Sequence, residues 1–147
     1  MYIPHYDALL HAIGTSREQL KDKTEVTIPV SMFKLLLQQT LLNGEFNVAG
    51  YLAANKDIQD AVKKNQMPDP KSHYIKFGFF EGRRGATPPV DESWYRRTYS
   101  DIATALSRGE LTSGAAHFDM IGAEEFRAPS ASFINDALEW KKSVRKS

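Results

Sequence analysis

The chain matches itself at an offset of 44 residues, and this period limits its possible folds more than any other feature. Without a gap, Tyr51 falls on Tyr95, Asp57 on Asp101, Ile58 on Ile102 and Ala61 on Ala105. His73 falls on His117, Gly78 on Gly122, Glu81 on Glu125 and Arg83 on Arg127. Val62 with Leu106, Tyr74 with Phe118 and Phe77 with Ile121 are similar pairs. Eight identities that include His, Gly and Tyr point to a duplication. A period of roughly 20–50 residues implies stacked supersecondary units, each covering its neighbour's apolar face.

Each copy reads as a helical hairpin. In the first, Tyr51, Leu52, Ile58, Ala61 and Val62 share an apolar side. Asn55-Lys-Asp57, like Tyr99-Ser-Asp101, looks like a break after which the Asp caps a new turn beginning at the following Ile. Asp69 before Pro70 is an N-cap and N1 pair, and Gly109 with Thr112-Ser113-Gly114 takes that place in the second copy. The second helix carries His73, Tyr74, Phe77 and Phe80, or His117, Phe118 and Ile121, at a helical spacing. Gly78 and Gly122 interrupt it, each at a cost of about 1 kcal/mol relative to Ala. A glycine there in both copies implies a close helix crossing or a C-terminal turn.

Outside the copies, residues 31–42 form the clearest single helix, with Ser31 as its cap and Asn43-Gly44 as its stop. Phe33, Leu36, Leu37 and Leu41 make one stripe, and Met32, Leu35 and Leu42 widen it over most of the circumference. Such a helix is expected to be buried on two sides, the second being another subunit. Met32, Leu35, Leu36 and Leu42 are therefore the candidate oligomer interface. Upstream, Val26, Ile28 and Val30 alternate in a short extended segment that Pro29 restricts to an edge. A short helix is expected over Tyr6 to Ile13, and 15–23 reads as loop or helix. A terminal amphipathic helix follows Ser132, with Phe133, Ala137, Trp140 and Val144 on one face.

The expected fold class is mainly α: two tandem 44-residue helical hairpins flanked by capping helices, with one short extended segment near the N-terminus. The expected organisation is a single domain over 1–147. It comprises an N-terminal segment with potential flexibility (1–23), an extended segment plus apolar helix (24–45), the two copies (46–85 and 90–129) and a C-terminal helix (130–147). The 19 basic and 18 acidic residues nearly balance, so there is no electrostatic footprint for nucleic acid. The one basic cluster, Lys141, Lys142, Arg145 and Lys146, reads as a solvated helix end. With no cysteine, disulfides, thiolate metal sites and cysteine nucleophiles are all excluded. No apolar run approaches the ~20 residues of a membrane span, and the start lacks the pattern of a signal peptide. Cytoplasmic localisation without direct membrane insertion is expected.

The run Tyr51-Leu-Ala-Ala-Asn-Lys-Asp-Ile, followed by His73-Tyr-Ile-Lys-Phe-Gly-Phe-Phe-Glu-Gly-Arg83, resembles a repeat of bacterial surface-polysaccharide proteins. That repeat reads approximately YLxxNPDV, a spacer, then HYxxxGxxEGR. It is similar to segments beside glycosyltransferase domains and in rhamnan-synthesis-like proteins. The second copy matches through Trp94-Tyr95, Tyr99-Ser-Asp101-Ile102, His117-Phe118, Gly122, Glu125 and Arg127. Lys56 and Ser100 depart from the family's proline, and Phe126 from its glycine before Arg127. The resemblance covers about residues 46–129 and implies a protein partner, such as polysaccharide-synthesis or glycosyltransferase machinery, for a module that accompanies catalysis without supplying it.

Tyr51, His73, Glu81, Arg83, Trp94, Tyr95, His117, Glu125 and Arg127 are the candidate ligand or partner contacts. The aromatic rings suit sugar stacking, but their helical spacing suits a core equally well. His73 and Glu81, like His117 and Glu125, stand eight residues apart, about 12 Å along a helix, too far to share a metal. Each histidine is expected instead to bond a helix end or the partner Asp, and each Glu-x-Arg to close a helix end as a local ion pair. No phosphate loop, nucleophile elbow or carboxylate pair is evident. The reading is a non-catalytic, self-associating interaction or scaffold module with no cofactor and no metal. The alternative is a carbohydrate-binding module using the repeat aromatics and the Glu/Arg pairs.

Overall fold

The computed structural model describes residues 1–145 and is mainly helical, with no strand among them; Lys146, the last residue of the basic cluster, lies outside the described residues. Contacts cluster into two units, one over residues 1–43 and one over Gly44–Arg145.

The first unit holds α1 (Tyr6–Ala12), α2 (Arg17–Leu20) and α3 (Val30–Asn43). His5 caps α1 through its ring, Ser16 caps α2, and Arg17 pairs with Asp7 at 2.8 Å. The expected edge strand is absent: residues 25–29 carry no regular structure. An edge needs a ladder to join, and the described chain offers none. Pro29 instead opens α3, its carbonyl accepting from the Phe33 N–H at 3.0 Å. The helix therefore starts at Val30, and Ser31 lies inside its first turn rather than capping it. None of the α3 residues is buried, against the expectation of burial on two sides. Phe33, Leu35, Leu36 and Leu42 are exposed, and Met32 and Leu37 half-buried.

In the second unit, three helices have counterparts 44 residues later. α4 (Val48–Ala54), α5 (Lys56–Lys63) and α6 (Pro70–His73) correspond to α7 (Glu92–Thr98), α8 (Ser100–Ser107) and α9 (Gly114–His117). α6 and α9 each run on into a π-helical turn, over Tyr74–Gly78 and Phe118–Gly122. Asn47 and Asp91 cap α4 and α7, and Asp69 and Ser113 cap α6 and α9, with Pro70 in the first turn as its sequence position implied. α4 and α7 break at Asn55 and Tyr99, whose backbones leave the helical region. The new helices begin at Lys56 and Ser100, two residues earlier than expected. Asp57 and Asp101 therefore sit inside the first turn, and their carboxylates turn to other partners.

Two cores result. Tyr51, Ile58 and Ala86 are buried with Phe46, Leu52, Met67 and Tyr74 against them. Tyr95, Ile102 and Phe118 are buried with Val90, Trp94, Tyr99, Leu106, Leu111 and Ala123. At the centre of each lies a tyrosine with no exposed surface, aimed at the π-helical turn. There the Phe79 N–H reaches the Tyr74 carbonyl at 2.8 Å, and Ala123 reaches Phe118 at 3.0 Å. Gly78 and Gly122 face the tyrosine hydroxyls. A Cβ on Gly122 would lie 2.5 Å from the Tyr95 oxygen, and one on Gly78 would overlap the Tyr51 oxygen outright. The close crossing expected at these glycines is thus made by a side chain rather than a backbone. The chain ends in a 3-10 turn (Ala131–Phe133) and α10 (Ile134–Ser143).

Gly→Ala inside a helix normally stabilises by up to about 1 kcal/mol. At Gly78 and Gly122 the sign reverses. Gly78→Ala and Gly122→Ala are each expected to destabilise by about 1–3 kcal/mol, the usual cost of overpacking, read as a lower urea midpoint with unchanged slope.

Candidate functional site

The residues shared by the two copies assemble into two sets of polar contacts. In the first set, the Tyr51 hydroxyl meets His73 Nδ1 at 3.1 Å, and the Tyr95 hydroxyl meets His117 Nδ1 at 2.9 Å. Buried hydroxyls need a partner, and α6 and α9 supply it one residue before the π-helical turn. His117 is buried and His73 half-buried. The histidines were expected to bond a helix end or an aspartate, and their partner is the tyrosine instead. Burial raises the pKa of the Tyr51 hydroxyl and pushes that of Tyr95 up to about 12. Tyr74 and Phe118 close the rings off edge-on, at 5.2 and 6.2 Å between centroids.

In the second set, Arg83 joins the two helices of its hairpin. Its guanidinium pairs with Asp57 at 2.8 Å and with Glu81 at 2.6 Å, and reaches Asn55 Oδ1 at 3.3 Å. Arg127 grips Asp101 through two hydrogen bonds of 3.0 and 2.7 Å, takes Glu125 at 2.6 Å, and lies 4.9 Å over the Tyr99 ring. The Glu-x-Arg ion pairs are thus present as read, and the aspartates are the members that sequence reasoning misplaced. The signal was available, because Asp57 and Asp101 repeat in step with Arg83 and Arg127. Hydrogen bonds from the arginines hold both aspartates below the ordinary carboxylate range. The arginines are raised in turn, chiefly by Asp57 and Asp101.

The remaining candidates are not gathered into one site. Tyr51 and Tyr95 have no exposed ring face, so neither offers a platform to a sugar. Trp94 is half-buried against Tyr99, with 5.9 Å between centroids. Arg83 and Arg127 keep only 25% and 19% of their side chains exposed, already committed to two carboxylates each. Met32, Leu35, Leu36 and Leu42 lie on α3 in the other unit. A contact with no sequence signal is Glu92, whose carboxylate accepts from the Gly114 and Ala115 N–H groups at 2.7 and 2.9 Å. It caps α9 from a helix away, and Val48 at the matching position of the first copy has no such capacity. Among the described residues no group of three or more His, Asp or Glu is arranged to hold a metal ion. The shared polar groups pair with one another, an arrangement that joins the helices of each hairpin. No known family matches the chain, and neither does any curated protein or solved structure.

Both sets predict the pH profile of stability. The aspartates are depressed when folded, so their contribution is present above the unfolded value of about 3.9 and is lost as pH falls through the folded value. Tyr95 is raised when folded, so its contribution is present below about 10 and is lost as pH rises towards about 12. The melting temperature is expected to fall on both sides of these limits. The combined variant Asp57→Asn and Asp101→Asn flattens the acid limb only.

Proposed function

We propose that this chain is a non-catalytic interaction or scaffold module that self-associates through α3 and serves bacterial cell-surface polysaccharide machinery in the cytoplasm. The observation that carries the self-association is the exposure of Phe33, Leu35, Leu36 and Leu42 on a single helix of 14 residues. Several large apolar side chains left exposed on one helix mark a surface that is covered in use. The non-catalytic reading is supported by the internal pairing of the shared histidines, arginines and acids. No helix of the described chain is long and apolar enough to cross a membrane, in keeping with attachment through a partner. The polysaccharide link rests on the resemblance of residues 46–129 alone, because fold and function are separable. With the Tyr51 and Tyr95 rings enclosed, the carbohydrate-binding alternative loses its principal stacking surfaces.

Light scattering on the purified chain tests the self-association. The wild type is expected at twice the chain mass of 16.6 kDa. Leu36→Glu is expected at one chain mass with unchanged helical circular dichroism. A wild type that stays at one chain mass across the accessible concentrations contradicts the assignment of α3 as an assembly surface.

A further inference from the structure

Beside α10, a cleft of about 290 Å³ opens in the second unit, its lining mostly apolar, with Phe118, Phe126, Phe133 and Trp140 on its walls. Its size is at the small end for ligand sites. Three observations single it out.

Phe126 holds a left-handed backbone, φ +55°, where the first copy has Gly82 at φ +71°. A bulky residue in that region is strained, and such strain persists at sites where the side chain is needed. The strained residue lines this cleft. Trp140, half-exposed at 53%, supplies another wall, a costly placement for a large aromatic ring. Glu45 and Asp136, both exposed, bring two carboxylates to the same lining. The one cation there, Arg127, is offset by Asp101 and Glu125, so the surrounding charge is negative. The cleft around Gly82 is also aromatic, with Tyr74, Phe79 and Phe118 on its lining, but it differs in charge: Arg83 and Arg84 face a single acidic residue, Asp119.

Aromatic walls with acidic groups beside them are the chemistry that holds an organic cation, whose charge sits against ring faces while its methyl groups fill the apolar space. We propose that this cleft binds a small quaternary ammonium compound, with Phe126 and Trp140 as the ring contacts and Asp136 and Glu45 as the charge partners. The first copy has a glycine, Gly82, at the position from which Phe126 supplies its ring.

The test is a titration of the full chain with choline, followed through the indole N–H resonance of Trp140. A second titration uses choline's neutral isostere, with carbon in place of nitrogen. Choline is expected to shift the resonance saturably and to bind about tenfold more tightly than the isostere. Phe126→Gly is expected to abolish the shift while the melting temperature stays equal or rises, because glycine relieves the strained backbone. Asp136→Asn is expected to weaken choline several-fold and leave the isostere unchanged. Equal affinity for the two probes, the absence of a saturable shift with choline, or wild-type affinity in Phe126→Gly would each overturn the proposal.

Discussion

A tyrosine hydroxyl seated against a glycine α-carbon organises each half of the unit over Gly44–Arg145. The hydroxyl is buried, so it must find a partner, and His73 or His117 provides one. The π-helical turn then brings Gly78 or Gly122 up to the oxygen, where no Cβ fits. Once the tyrosine is fixed, the end of its helix is fixed as well, and that end catches the returning chain. Asn55 donates to the Tyr51 and Arg84 carbonyls at 2.8 and 2.9 Å, and the Ala128 N–H donates to the Tyr99 hydroxyl at 2.8 Å. The loop closes where it began, with Asn47 N–H on the Ala86 carbonyl and Asp91 N–H on that of Pro129, both at 3.0 Å. The Arg83 and Arg127 clusters clamp the outside of the same closure.

The two copies keep this closure while differing around it. Tyr99 does with a ring and a hydroxyl what Asn55 does with an amide. Glu92 adds a helix cap that Val48 lacks. Gly82 and Phe126 take the same backbone region, but only the phenylalanine is strained there. The exchange of Asn55 for Tyr99 lies at the core, and those at Glu92 and Phe126 reach the surface. The aromatic cleft beside α10 draws on the last of these, since Phe126 lines it from a strained backbone.

Much of this was legible in the residues. The Gly78 and Gly122 positions announced a close approach, the Asp69-Pro70 pair announced a helix start, and the break near Asn55 was visible as a lapse in the apolar pattern. What was not legible follows from physical causes. Spacing along one helix shows which side chains share a face, but not which side chain arrives from another helix. The tyrosine partners of His73 and His117, 22 residues away in each case, were therefore missed, as were Arg83 with Asp57 and Arg127 with Asp101. The alternation of Val26, Ile28 and Val30 suggested a strand, but alternation describes only one partner of a ladder. The cleft was hidden for a similar reason: Phe126 read as a departure from the glycine of the first copy, Gly82, and its significance depends on what α10 places beside it.

The tyrosine hydroxyl and the glycine compete for one space, so that each requires the other. A double-mutant cycle in urea on Tyr95→Phe, Gly122→Ala and the pair measures this directly. Removing the hydroxyl vacates the position that an alanine methyl would enter. Gly122→Ala is therefore predicted to cost at least about 1 kcal/mol less in the Tyr95→Phe background than in the wild type, within the range seen for side chains in contact. Additivity to within about 0.3–0.5 kcal/mol would contradict this competition, because the two positions would then be independent.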